Sequence, residues 1–147
     1  PEGEAPYHRF METRILDSWI HLQDLRDALA QPQDDHGIGE EIVVNRFESY
    51  LPYVVGKKAQ APDGTRVRVN LIGRLGRNID IEVVDGRARA ATEPGEPSVE
   101  ITTPVALFWR RAAGRISAEA FLQADDTNVR GDRHLASRIA DGLATMI

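Results

Sequence analysis

Thr65 to Ala91 reads T-R-V-R-V-N-L-I-G-R-L-G-R-N-I-D-I-E-V-V-D-G-R-A-R-A-A, and its period of two decides the fold class. Successive side chains on a strand point to opposite faces, so Val67, Val69 and Leu71 fall on one side while Arg66, Arg68 and Asn70 fall on the other. Asn78 to Val84 repeats the pattern with Ile79, Ile81 and Val83 inward. Gly73 to Gly76 joins the two as a hairpin loop. Asp85-Gly86 is a two-residue turn signal leading to a third strand, Arg87 to Ala91. Beyond the loop Pro94-Gly95-Glu96-Pro97, Ser98 to Thr102 reads as a fourth strand, and together these segments predict an antiparallel sheet.

Helical spacing brackets that sheet. Tyr7 to about Ala30 carries helical periodicity and is broken by Pro32 and Gly37. A second helix is expected over Gly39 to Val55, with Ile42, Val43, Phe47 and Leu51 on one face. After the sheet, Thr103 reads as an N-cap with Pro104 at the first helical position, and Ser117 caps a short helix through Leu122. Thr127 to Arg130 reads as an edge strand, and Asp132 opens a last helix whose seam is Leu135, Ile139, Leu143 and Met146. The class is α+β: an antiparallel sheet packed with helices, preceded by one long helix.

The 147 residues suffice for one domain with a real core, or for a domain plus an appended helix. A hydrophobic content of 41% and a charged content of 28% are ordinary for a globular chain. The formal net charge is −5, with Lys and Arg dispersed, so the positive patch that nucleic-acid binding needs is missing from the pattern. No apolar run approaches the ~18 residues of a membrane span, and no signal-peptide pattern opens the chain, so cytoplasmic residence is expected. Cysteine is absent, which removes disulfides, thiolate ligands and a protein thiol nucleophile together. Any thiol chemistry must use a small-molecule thiol.

The stretch Arg14 to Arg26, R-I-L-D-S-W-I-H-L-Q-D-L-R, holds the candidate site. Positions four apart on a helix lie one above the other, so Asp17 and His21 present an oxygen and an imidazole nitrogen to one point, as the paired ligands of helical metal sites do. Arg14 and Asp24 extend the same polar stripe and would orient or balance those ligands. A surface ion pair uses the same spacing. Arg110, Arg111, Arg115, Arg130 and Arg138 offer forks for an anionic thiol or dicarboxylate, although solvated helix faces account for most such residues.

The run from Arg14 to Leu29 followed by Pro32 resembles the last bundle helix of the mycothiol-dependent maleylpyruvate isomerase family, whose members read R-x-x-D-x-W-x-H-x-Q-D-x-R. Leu51 to Ala59, Ala61 to Gly64 and Gly131-Asp132 are similar to that family's C-terminal region. The resemblance implies two parts: residues 1–31 as the last helix of a truncated, DinB-like four-helix bundle, and residues 38–147 as a sterol-carrier-like C-terminal domain. A further metal ligand, a histidine on an earlier helix, is expected outside this chain.

Function follows from the resemblance in the same conditional way. It implies a divalent metal, zinc, held by Asp17 and His21, and mycothiol as the thiol that adds to an activated double bond of a small organic acid before elimination returns the trans isomer. The intact parent would be an isomerase or thiol transferase, the chain alone inactive. A second reading makes the sheet domain a noncatalytic sterol-carrier-like module for ligand binding or dimerisation. An apolar tunnel and a closed core draw on the same residues, and close packing favours the core. Self-association through the first helix is expected, because Leu16, Trp19, Ile20 and Leu25 are residues of burial type.

Overall fold

The computed structural model describes residues 7–33 and 36–146. They form two compact units, the first ending at Arg46 and the second beginning at Phe47. Helix α1 spans Tyr7–Ala28 and α2 spans Ile38–Tyr53, so the boundary falls within α2.

In the first unit, α1 buries Leu16, Trp19, Ile20 and Gln23. Leu25, expected to be buried, is 61% exposed, because it lies on the opposite side of the helix from Leu16 and Ile20. The helix stops where Ala30 takes a left-handed backbone (φ 52°), so that Gln31 N–H returns to the Arg26 carbonyl at 2.8 Å. Arg26 Nη1 then donates to the Pro32 carbonyl at 2.9 Å, securing the exit.

The second unit is built on a five-stranded sheet of order β3-β2-β1-β4-β5. Its strands are β1 (Arg66–Ile72), β2 (Arg77–Val84), β3 (Arg87–Ala90), β4 (Val99–Pro104) and β5 (Asn128–Gly131). Val67, Val69, Leu71, Ile79, Ile81, Val83, Val99 and Ile101 are all buried, as alternation requires. Asp85 and Gly86 both have positive φ (52° and 70°), the turn that matches strand twist.

Three ladders are antiparallel, whereas β1 and β4 pair in parallel, Val67 opposite Val99 and Leu71 opposite Thr103. The physical reason is the connection after β3. Instead of another hairpin, residues 91–98 pass to the far side of β1, secured by an Arg66 side-chain hydrogen bond to the Glu93 carbonyl and by Ser98 N–H on the Arg66 carbonyl at 2.7 Å. Parallel pairing demands such a crossover.

The opposite face of the sheet is a charge ladder. Arg89 and Arg66 flank Glu82 at 2.9 and 3.0 Å, and Arg68 Nε meets Asp80 at 2.8 Å. That carboxylate contact holds the Arg68 guanidinium above its ordinary pKa. Glu100 sits in register between Arg68 and Arg130, so the rows alternate in sign across the strands.

Helices α3 (Val105–Ala112), α4 (Ala118–Gln123) and α5 (Arg133–Gly142) bury Phe108, Trp109, Phe121, Leu135 and Ile139. The caps read from Ser117 and Asp132 are present: their side chains accept from Ala120 N–H and Leu135 N–H, each at 3.0 Å. Thr103 does not cap α3. Strand β4 runs through it, Pro104 takes the cap position, and the buried Thr103 hydroxyl pairs with Thr127 Oγ1 at 2.9 Å. Among the described residues no helix is long and apolar enough to cross a membrane.

Candidate functional site

A cleft in the second unit forms where α2 loses its regular ladder. Pro52 lies inside α2, has no N–H to give the preceding turn, and is followed by a π-helical turn, Val54–Lys58, closed by Ala59 N–H on the Val54 carbonyl at 2.8 Å. The wider turn buries Val54 and Val55 completely while Lys57 and Lys58 emerge. Helix α5 comes close enough that a Cβ on Gly142 would stand 2.7 Å from Lys58 Cβ, so glycine is what the approach requires. Arg138 Nε ties α5 to the turn through the Ala59 carbonyl at 2.8 Å.

Tyr50, Tyr53, Lys58, Ala144 and Thr145 line the resulting cleft of about 460 Å³. The segment after α5 is held by Thr145 N–H on the Ala112 carbonyl at 3.1 Å, which fixes that wall. Lys58 also borders a neighbouring hollow of about 360 Å³ with Arg138, Asp141 and Gly142. Two phenol rings, methyl groups and one ammonium suit a ligand with an apolar body and a polar or anionic end.

The stripe on α1 is a separate arrangement. His21 Nε2 stands 3.5 Å from Asp17 Oδ1, and His21 Nδ1 stands 3.3 Å from Asp24 Oδ2. Both pairs are solvent-accessible, so as ion pairs they contribute little. Two ligands at zinc bond lengths in a tetrahedron are about 3.4 Å apart, and a ligating imidazole commonly gives its other nitrogen to a carboxylate. Asp17, His21 and Asp24 therefore stand together on one exposed face of α1, His21 between the two carboxylates. Among the described residues no group of three or more His, Cys, Asp or Glu side chains is arranged to hold a metal ion. Arg14 borders a groove with Met11, Ile15 and Ser18.

Other arginines have structural duties. Arg111 donates to the carbonyls of Ala140, Ile116 and Asp141 at 2.7, 2.7 and 3.0 Å, and Arg110 stacks 4.8 Å over the Trp109 ring. Arg115 Nη1 donates to the Ala113 carbonyl at 2.6 Å. Nothing in the sequence pattern marks Tyr50, Tyr53 or Lys58 as site residues. Pro52 ahead of Val54-Val55-Gly56-Lys57-Lys58 was the available signal, since proline inside a helical pattern marks a distortion.

No protein-family model and no curated protein matches the chain. Among solved structures it is similar to the UbiJ-SCP2 ubiquinone synthesis protein, with a TM-score of 0.51 and 13% identity over 71% of this chain and 95% of that one. It is also similar to sterol carrier protein 2 of Yarrowia lipolytica in its apo form, with a TM-score of 0.49 and 14% identity over 73% of this chain and 91% of that one. The first likeness gives the chain a sterol-carrier-like fold.

Proposed function

We propose that the chain carries a noncatalytic, sterol-carrier-like module that binds a small amphipathic molecule in the cleft lined by Tyr50, Tyr53 and Lys58. The observation that carries this reading is the cleft itself, an aromatic hollow of about 460 Å³ with a single ammonium at its border. The likeness in fold to the UbiJ-SCP2 ubiquinone synthesis protein supports a lipophilic ligand. Titration with a pyrene-labelled fatty acid should give saturable binding, weakened about tenfold by Tyr53→Ala, equivalent to ~1.4 kcal/mol. Lys58→Ala should weaken the acid more than the corresponding alcohol. Binding indifferent to both substitutions would sink the assignment.

A second reading is supported by the Asp17–His21–Asp24 geometry. In it the chain belongs to a mycothiol-using isomerase or thiol transferase, with zinc held by Asp17 and His21 and completed by a ligand from elsewhere. A bound zinc ion supplies thiol activation by lowering the pKa of a coordinated sulfur. Within this chain, Asp24 fixes the imidazole so that Nε2 faces Asp17, while Arg14 offers a positive charge one turn away. The substrate would be a small organic acid. Calorimetry with zinc decides the local part: weak binding abolished by His21→Gln supports it, and identical heats for wild type and variant count against it.

A further inference from the structure

The charged stripe and the buried face leave a third side of α1 to account for. Met11, Ile15, Ser18, Leu22 and Leu25, with Leu29 one residue past the end of α1, recur at alternating spacings of four and three, the repeat of a two-helix seam. This seam faces water: Met11 and Leu22 are each 39% exposed, and Leu29 is 69% exposed. Leu16, Trp19 and Ile20 occupy the other side, so α1 has two apolar faces, and among the described residues only that one is covered. At the N-terminal half of the seam lies a groove of about 410 Å³ lined by Met11, Arg14, Ile15, Ser18, Trp19 and Leu22.

We propose that α1 of a second copy of this chain docks antiparallel on this seam. In that alignment Leu29 of one copy faces Met11 of the other, Leu25 faces Ile15, and Leu22 faces Ser18. The leucine-rich C-terminal half thereby fills the groove beside the small Ser18. The residues flanking the seam select the direction, because antiparallel docking sets Glu12 against Arg26 of the second copy twice over. A parallel pair would stack Ser18 on its own copy, leaving a hole, and would place His21 beside Arg26 with no opposite charge to gain.

Sedimentation velocity of the full chain should show a monomer–dimer equilibrium that Leu22→Glu and Leu25→Glu shift to monomer with the thermal transition and helical circular dichroism retained. The chain has no cysteine, so introduced thiols report geometry cleanly. Met11→Cys combined with Leu29→Cys should form a covalent dimer on mild oxidation, since the two sites stand near opposite ends of α1, ~27 Å apart, and cannot bridge internally. Leu29→Cys alone should remain free. A chain that stays monomeric at high concentration, with α1 helical, has its seam covered by something else, and that result overturns the proposal. Efficient crosslinking by Leu29→Cys alone overturns the antiparallel direction.

Discussion

Arg111 illustrates how a residue type suggestive of ligand binding is absorbed by the fold. Arg111 is 8% exposed and its donors reach three backbone carbonyls, two of them in the last turn of α5, where helical carbonyls run short of backbone donors. Burial pulls its pKa below the ordinary arginine value, with the Asp141 charge opposing that shift. Arg111→Met should cost about 2 to 4 kcal/mol in urea unfolding, since partly buried carbonyls lose charged donors. Arg111→Lys should recover only part of this, because an ammonium cannot reach three carbonyls at once. A cost below ~0.5 kcal/mol for Met would mean that water replaces the fork. The sequence placed Arg111 in a list of five arginines, and nothing local distinguished it. Its partners lie up to 30 positions away.

At the scale of elements, legibility tracked the range of the interaction that decides each feature. The period-two runs, the Asp85-Gly86 turn and the Ser117 and Asp132 caps depend on neighbours within a few residues, and all were readable. The parallel pairing of β1 with β4 depends on where residues 91–98 run, which no local spacing encodes. The π-helical turn after Pro52 was likewise hidden, since proline announces a break without specifying its form. The β5–α5 junction allows a graded test. Gly131 has φ +83°, and a Cβ there would stand 2.2 Å from the Ser98 carbonyl oxygen. Gly131→Ala should therefore destabilise by more than ~1 kcal/mol. Asp132→Ala, which only removes the cap on Leu135 N–H, should cost about 1 kcal/mol, and Asp132→Asn much less. Equal effects of all three in chemical denaturation would contradict the junction as described.

For the whole molecule, the proposed ligand has two places to go, the inner face of the sheet or the open cleft, and packing separates them. Val67, Val99 and Phe108 are 0% exposed and Val69 is 3% exposed, so a guest there must displace close-packed side chains. The cleft at Tyr50, Tyr53 and Lys58 demands no such displacement, and its walls are held by Arg138 on the Ala59 carbonyl and by Thr145 on the Ala112 carbonyl. Hydrogen exchange separates the two modes, because each ligand position protects a different set of amides. With saturating fatty acid, exchange should slow in Val54–Lys58 and in the last turn of α5, while Val69 and Ile81 in the central strands keep their rates. Faster exchange at Val69 and Ile81 on binding would instead mean that the core opens to admit the ligand. In that event Tyr53→Ala would leave affinity intact, whereas enlarging the core by Phe108→Ala would raise it at a cost of about 3 to 5 kcal/mol in stability.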